Sequence, residues 1–294
     1  RTTNMATALD FKALFEEERK RRLQTRAEGD KEKPQASVSV TPWTGDSDWT
    51  VSLVPRAPVD WSAHVVCADR LRGVHYVPDF VTDAEAQELL ERLDTMPESS
   101  WVKLRRRRLQ NHGGTPHSDG MIPERVPSFI QAVMDATVQA GIFEEPPNHV
   151  LLNEYQRGQG IMPHQDGPLY QPVVAILSLA GPAMLQFWSS LEATKRKDAT
   201  ASVLCHPNSL LVFREDAYQT HWHGIEETDA DVVAEHTGNE VTVGVSVPRG
   251  ARRVSLTIRQ VCRVLSKEPL LTDEARQEAR RKQQWWVSTR GEQS

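Results

Sequence analysis

Three side chains that can bind a transition metal stand out in this chain of 294 residues. His164 and Asp166 are separated by a single residue, and His223 lies far downstream, directly before a glycine. Two imidazoles and one carboxylate form the facial triad that holds non-haem Fe(II) and leaves coordination positions open for a co-substrate and dioxygen. We therefore predict that these three residues are the metal ligands and the catalytic centre. Zinc, which also accepts histidine and carboxylate ligands, is the alternative.

Alternation along β-strands supports this grouping, because residues two apart point to the same face of a sheet. On this rule His164 and Asp166 converge. The rule also places His221 beside His223. Spacing alone therefore leaves the third ligand open between these two histidines.

A second set of polar residues follows the same period of two. Asn153 and Tyr155 share one face of a predicted strand, and Arg253, Ser255 and Arg259 share one face of another. The planar guanidinium of arginine grips a carboxylate through two parallel hydrogen bonds. The arginines therefore favour an anionic chelating co-substrate, and hence iron over zinc.

Composition limits the class of protein. Hydrophobic residues make up 38% of the chain, and no apolar run approaches the roughly 20 residues of a membrane helix. The N-terminal segment lacks the apolar stretch of a secretory signal, and the three cysteines lie too far apart for a zinc knuckle or a redox pair. We expect a soluble, monomeric protein of the cytoplasm or nucleus that does not bind membranes.

One basic run could contact nucleic acid. The formal net charge of -5 argues against a surface that is basic all over, so DNA or RNA must bind to a local patch. The candidates are Lys103, Arg105, Arg106, Arg107 and Arg108. A solvated face without function is the alternative interpretation.

Secondary structure is predicted to begin with a strand in GVHYVPDF, followed by a helix in which Thr82 and Glu85 have capping-box spacing. A second helix is predicted from Ser128 to Ala140, with Gly141 as its C-terminal stop. Both helices are amphipathic, which predicts that they pack against a sheet.

Short strands are predicted from His149 onward, at HVLLNEYQ, PVVAILSL, AMLQFW, SLLVF, HWHGIEE, VTVGVSV and RRVSLTIRQV. Two polar stretches, 189–206 and 226–240, are interpreted as exposed insertions. This order predicts an α+β fold that is mainly β, a sandwich or jelly roll backed by helices. Charged helical extensions are predicted at both ends, near residues 9–28 and beyond 270.

Several of these segments together resemble the AlkB family of Fe(II)/2-oxoglutarate dioxygenases. The resemblance covers roughly residues 73 to 265 and rests on NEY at 153–155, HQD at 164–166, HGI at 223–225, RRVSLTIR at 252–259 and LQNHGG at 109–114. It implies a double-stranded β-helix and selects His223 over His221. We accordingly divide the chain into an N-terminal charged helix and linker, the dioxygenase domain and a charged helical tail, at 1–62, 63–268 and 269–294.

The resemblance also implies roles for the polar residues. Arg253 and Tyr155 would hold the distal carboxylate of 2-oxoglutarate, with Asn153 and Arg259 nearer its metal-chelating end and Ser255 as a further contact. Fe(II) would be the metal. The basic run would lie in the region that covers the substrate nucleotide. His112 would lie in the same region and is, with Arg105, Arg106, Arg107 and Arg108, a candidate for binding the substrate. Similar family members tend to carry an aromatic residue at this position, which puts base stacking there in doubt, although imidazole can also stack on a base.

The implied activity is oxidative demethylation of N-alkylated bases in DNA or RNA, a reaction that requires the target base to be unpaired or flipped out. Two other classes of function remain open from the sequence. One is hydroxylation of a protein or a small molecule, since the Arg253-Val254-Ser255 arrangement also occurs in oxygenases acting on those substrates. The other is a nucleic-acid-binding module with little turnover.

Overall fold

The structure, a computed structural model, describes residues 51, 53–117, 120–167, 169–240 and 242–265, with the backbone alone for 115–117. The predicted charged helices at the two ends of the chain lie outside these residues. The domain boundaries at 62 and 268 therefore remain proposals.

The described part of the chain contains four α-helices and two short 3-10 helices. The α-helices are α1 Asp83–Asp94, α2 Ser128–Gln139, α3 Leu191–Lys195 and α4 Glu215–Gln219. The 3-10 helices are Trp61–His64 and Glu98–Ser100. None of the helices in these described ranges is both long and apolar enough to cross a membrane.

Strands make up most of the remaining structure. They are β1 Val74–Val77, β2 Val102–Lys103, β3 Arg108–His112, β4 Gly114–His117, β5 Gly120–Pro123, β6 His149–Gln156, β7 Ile161–His164, β8 Val173–Leu179, β9 Ala183–Trp188, β10 Ala201–Cys205, β11 Leu210–Arg214, β12 Trp222–Ile225, β13 Ala230–Val232, β14 Ser246–Pro248 and β15 Arg252–Arg259.

Two antiparallel sheets carry the fold. The large sheet has the strand order β1-β11-β8-β15-β6-β3-β2, and the small sheet has the order β10-β9-β12-β7. Two further pairs, β4–β5 and β13–β14, form separate two-stranded sheets. The predicted class, mainly β with a few helices, is confirmed.

Each face of the large sheet has its own apolar core. Val254, Leu256 and Ile258 of β15 belong to one core together with residues of α1 and α2. On the opposite face, residues such as Ile176 and Phe213 pack with Leu185 of the small sheet. The large sheet therefore has an outer face under the helices and an inner face towards the small sheet, as its period of two predicts.

Both predicted helices are present and end where expected. Thr82 Oγ1 accepts a hydrogen bond from the Glu85 amide at 3.2 Å, and Glu85 Oε2 accepts one from the Thr82 amide at 2.8 Å, which completes the capping box. After α2, Gly141 takes a φ of +74°, a left-handed conformation that glycine adopts at little cost. The capping and stop signals are confirmed.

The interpretation of 189–206 as an exposed insertion is wrong. This stretch contains α3 and the strand β10, whose five residues are all buried against β9 in the small sheet. Its strand is short and is made partly of alanine, serine and cysteine between polar flanks, so hydrophobic periodicity does not reveal it.

The segment 226–240 is also more than an exposed insertion. It contributes β13, which pairs with β14, and its Asp231 is buried against Arg249. Arg249 donates from Nε and Nη2 to the two carboxylate oxygens of Asp231, at 2.7 and 2.6 Å. Of the predicted strand VTVGVSV, only the end enters β14.

The buried Arg249–Asp231 pair gives a stability prediction. Asp231→Ala leaves a buried guanidinium without its charge partner, so we expect the free energy of unfolding to fall by about 3 kcal/mol or more. Asp94→Ala is the matched control, because it removes the carboxylate from the bidentate but exposed pair with Arg252. That change should cost less than about 1 kcal/mol. Urea unfolding of both variants measures the two losses in free energy of unfolding. Equal losses would contradict the conclusion that the Arg249–Asp231 pair is buried and contributes more than the exposed pair.

Candidate metal centre and active site

His164, Asp166 and His223 meet at one point on the inner side of the fold. Each offers one ligand atom, and these three atoms all lie within 4.8 Å of one another. The imidazole rings of His164 and His223 have centroids 4.4 Å apart. The predicted triad is therefore assembled in space, with a geometry that one ion could bridge.

Strand pairing in the small sheet brings the two histidines together. His223 on β12 lies directly opposite His164 on β7 and, on its other side, opposite Phe187 on β9. The rings of Phe213 and Phe187 lie 4.8 and 6.3 Å from the His223 ring, which fixes its orientation. Gly224 allows the close approach, since a Cβ there would lie 2.8 Å from the Ile161 carbonyl oxygen.

Asp166 reaches the site by a different route from the one we predicted. Strand β7 ends at His164, so Asp166 lies in the following loop and strand alternation does not place it. Arg259 holds it instead, because its Nη1 donates to Asp166 Oδ1 at 2.5 Å. The other oxygen, Oδ2, is buried without a hydrogen-bond partner. That oxygen is suited to bind a cation.

The protonation states of the three residues suit metal binding. Burial, with a smaller effect from His223, lowers the pKa of His164 to about 3. Burial alone would raise the pKa of Asp166, but Arg259 and the two histidines together bring it below its usual value. The site thus presents neutral imidazoles and an ionised carboxylate, the forms that ligate metals. His164 Nδ1 lies 2.9 Å from the Met162 carbonyl oxygen, which leaves Nε2 free as the ligand atom.

His221 does not join the triad. It precedes β12, and its Nδ1 lies 2.9 Å from Thr220 Oγ1 and 3.1 Å from the Asp216 carbonyl oxygen. The chain leaves the strand at this residue, so the alternation that made His221 a candidate does not extend to it.

The predicted co-substrate residues lie on the inner face of β6 and β15. Arg253 pairs in register with Tyr155, and its guanidinium lies 5.6 Å from the Tyr155 ring centroid. Arg253 Nη2 donates to Ser178 Oγ at 3.0 Å, while its Nε is buried without a partner. Ser255 lies in register between Asn153 and Ser178. A buried guanidinium with a free donor and no carboxylate partner is suited to bind an anion.

Arg259 lies farther along the same face of β15. Besides its ion pair with Asp166, its guanidinium lies 4.2 Å from the centroid of the Tyr170 ring. The predicted co-substrate residues thus extend from Arg253, away from the metal ligands, to Arg259, which contacts one of them. Ser178 and Tyr170 were not predicted, although Ser178 is a polar residue in the otherwise apolar β8 segment and could have been noticed.

Comparison with known proteins agrees with this geometry. The family model of the 2OG-Fe(II) oxygenase superfamily matches residues 95–259. A protein of Danio rerio named probable RNA/DNA demethylase ALKBH6 is 37% identical over 204 residues, which are 65% of this chain and 87% of that protein.

The chain belongs to the AlkB family of 2OG-Fe(II) oxygenases. An uncharacterised protein, L905, of Acanthamoeba polyphaga mimivirus is 28% identical over 200 residues, 66% of this chain and 87% of that one. The solved structure of OsALKBH1 aligns with a TM-score of 0.47 at 17% identity, over 65% of this chain and 99% of its own. Members of this superfamily are oxidoreductases that use Fe(II) and 2-oxoglutarate, as the family name states.

The basic run does not form the continuous patch that we expected in this AlkB protein. Arg105 is exposed, Arg106 forms an ion pair with Glu227, and Arg108 pairs with Glu98 and Glu154. Lys103 also pairs with Glu98. Arg107 is buried, and its Nε donates to Asn153 Oδ1 at 3.1 Å. The run crosses a bend between β2 and β3, so consecutive side chains take different directions.

His112 is not placed to contact a substrate base. It pairs with Val150, a residue of the core under the helices, so its side chain leaves β3 on the outer face. There it is buried, with Nε2 3.0 Å from Gln110 Oε1, and burial lowers its pKa to about 4. The sequence motif had suggested the pocket side, but strand alternation assigns that side to Leu109 and Asn111.

Metal binding tests the triad directly. We expect His164→Ala and Asp166→Ala to lose bound Fe(II) by more than the roughly 10- to 100-fold that loss of an outer hydrogen-bond partner costs. His221→Ala should retain the ion, because its ring contacts the backbone near α4. Iron content per chain after anaerobic gel filtration measures the effect, with circular dichroism as a check of folding. Normal iron content in folded Asp166→Ala would refute the ligand assignment.

Proposed function

We propose that this protein is an Fe(II)- and 2-oxoglutarate-dependent dioxygenase that removes alkyl groups from nitrogen atoms of nucleic-acid bases. The convergence of two neutral histidines and an ionised aspartate carries the proposal. Beside this cluster lies a sheet face with buried arginines. This arrangement supplies both a ligand set for a metal ion and donors for an organic anion.

In this proposal His164 Nε2, Asp166 Oδ2 and a ring nitrogen of His223 hold the iron. Bound iron and 2-oxoglutarate together supply the oxidation of a substrate C–H bond by dioxygen, with succinate and carbon dioxide as co-products. An N-methyl group hydroxylated in this way leaves as formaldehyde. The protein itself binds and orients the co-substrate and the substrate, and it excludes water from them.

The chain's own residues orient the co-substrate. Arg253 is suited to hold the distal carboxylate, because its unpaired Nε is buried and its guanidinium contacts Ser178 and Tyr155. Arg259 neutralises Asp166 and lies near the end of 2-oxoglutarate that would chelate the metal. Asn153 is oriented by Arg107, whose donation to Oδ1 turns the amide nitrogen towards other partners. Ser255 completes the polar face.

The nucleic-acid substrate is inferred from the relative named a probable RNA/DNA demethylase, which is similar over most of its length. A base within a duplex would have to leave the stack for its alkyl group to approach the iron. Exposed Arg105 is available for phosphate contacts, while most of its neighbours are engaged in ion pairs. Single strands are therefore the substrates to test first.

Arg253 gives a quantitative test of the co-substrate assignment. We expect Arg253→Ala to raise the KM for 2-oxoglutarate by about 10- to 100-fold, since a charge-assisted pair contributes roughly 1.5–3 kcal/mol. Iron binding should be unchanged, because Arg253 does not contact the triad. Arg252→Ala is the control, since that residue pairs with Asp94 on the outer side. An unaltered KM in Arg253→Ala would argue against the assignment.

Succinate release tests the substrate class. The protein with Fe(II), 2-oxoglutarate and ascorbate is offered N-methylated single-stranded DNA or RNA, unmethylated strands of the same sequence, or a set of peptides. We expect succinate and formaldehyde in equal amounts, only with methylated strands. Turnover stimulated by a peptide would replace the proposal with protein hydroxylation, and tight binding without turnover would replace it with a binding module.

A further inference from the structure

The ion pair between Arg259 and Asp166 differs in geometry from other arginine–carboxylate pairs of this protein. Arginine commonly grips a carboxylate through two parallel hydrogen bonds. Four pairs in the described part of the chain have this two-pronged form: Arg72–Asp216, Arg108–Glu154, Arg249–Asp231 and Arg252–Asp94. Arg259, in contrast, makes a single hydrogen bond to Asp166, from Nη1 to Oδ1. Arg259 Nε and Asp166 Oδ2 are both buried without a hydrogen-bond partner.

The unpaired oxygen is the one assigned to the metal. If Arg259 gripped Asp166 through two hydrogen bonds, Oδ2 would already be occupied, and an ion would have to displace a charged donor. A buried donor and a buried acceptor that are left unpaired destabilise the protein. The single hydrogen bond between these two side chains therefore needs a physical cause.

The side chain of Tyr170 supplies a cause, because it lies against the guanidinium of Arg259. The guanidinium carbon is 4.2 Å from the centroid of the Tyr170 ring. At this distance the face of an aromatic ring attracts a cation, most strongly where water is excluded. Arg259 is buried, so the contact restrains a group that could otherwise turn towards Asp166 Oδ2.

Backbone contacts fix the position of Tyr170. The amide of Gln171 donates to the carbonyl oxygen of Gln260 at 2.8 Å. The hydroxyl of Tyr218 donates to the Tyr170 carbonyl oxygen at 3.5 Å. Gln260 directly follows Arg259, so the loop that carries the ring is tied to the strand that carries the guanidinium.

His149 supports the ring from β6. It lies directly opposite Arg259 in the register of β6 and β15 and is fully buried. The centroids of the His149 and Tyr170 rings are 5.7 Å apart. Burial, followed by the charge of Arg259, lowers the pKa of His149, so its ring is neutral beside the guanidinium. Neither of its ring nitrogens has a hydrogen-bond partner among the described residues, so its contact with Tyr170 is one between rings.

We propose that Tyr170 is a positioning residue for the metal centre. By holding Arg259 against its ring, with His149 as support, it prevents a two-pronged contact with Asp166 and reserves Oδ2 for the ion. This inference rests on the ligand assignment in the proposed function. It does not depend on which substrate the protein oxidises.

Substitutions of Tyr170 test the role of its ring. We expect Tyr170→Leu to weaken Fe(II) binding by about tenfold, the lower end of the range for loss of an outer partner of a metal ligand. Tyr170→Phe keeps an aromatic face and should keep most of the affinity. The dissociation constant is measured without oxygen, by competition with a chelator, in protein that holds neither 2-oxoglutarate nor substrate. Wild-type affinity in folded Tyr170→Leu overturns the inference.

Trp101→Leu is the matched control for the loss of an aromatic contact. The guanidinium carbon of Arg108 lies 4.1 Å from the centroid of the Trp101 ring, and Trp101 belongs to the core under the helices. Its replacement should lower the free energy of unfolding and leave the iron affinity unchanged. If Trp101→Leu and Tyr170→Leu weaken iron binding equally, the effect is a general loss of packing and the inference is overturned.

A second substitution shows whether Tyr170 acts through Arg259. Arg259→Lys retains a positive charge but cannot form the two parallel hydrogen bonds of a guanidinium. If the ring acts by restraining the guanidinium, Tyr170→Leu should have no further effect on iron affinity in the Arg259→Lys background. A further loss of about tenfold in the double variant would mean that the two residues act independently, which overturns the inference.

The outcomes separate this inference from the proposed function. Normal iron affinity in folded Asp166→Ala would refute the ligand assignment, and the inference fails with it. Loss of iron in Asp166→Ala together with normal affinity in Tyr170→Leu would overturn the inference alone and leave the proposed function standing.

Discussion

The alternation of side chains along β6 and β15 is the constraint on which the rest of the structure depends. These two strands lie next to each other inside the large sheet, with helices on one side and the small sheet on the other. Val254, Leu256 and Ile258 of β15 lie in the core under the helices, whereas Arg253, Ser255 and Arg259 of the same strand face the side of the metal ligands. A shift of one residue in register would exchange the two sets, burying arginines among apolar side chains.

Charge balance then decides what the inner face can do. Arg259 and Asp166 neutralise each other, and that ion pair also fixes the one ligand that no strand holds. Arg253 and Arg107 are left with neutral hydrogen-bond partners, Ser178 and Asn153. An interior with this excess of positive charge favours anionic or electron-rich molecules, which is consistent with a keto-diacid as co-substrate and with the family of this chain.

Much of this could be predicted from the sequence, for a physical reason. Strand alternation and helix caps are local, so the capping box at Thr82, the stop at Gly141 and the two faces of β15 follow from neighbouring residues. The triad could be grouped because metal chemistry restricts the types of residue. Asp166 was grouped correctly for an incorrect reason, since its position comes from an arginine far along the chain and not from a strand.

The predictions that failed concern features that depend on residues far along the chain. Strand β10 is recognised only by its partner β9, because its own residues are too small and mixed to show a pattern. The sequence predicts one basic surface at 103–108, but the carboxylates that divide this run come from distant segments, among them Glu154 and Glu227. The family motif predicts a substrate contact for His112, whereas its register with Val150 places its side chain on the other face of the sheet.

The position of β7 at the margin of the small sheet has a consequence for how the ion is acquired. β12, with His223, is held by a neighbour on each side, whereas β7 has only β12 beside it, and Asp166 follows its free end. His223 thus lies on a strand that is paired on both sides, whereas His164 and Asp166 lie at the edge of the small sheet. Iron binding would link this edge to β12. We therefore expect the metal-free protein to be least ordered at β7 and the loop after it, and metal binding to order this region before the co-substrate binds.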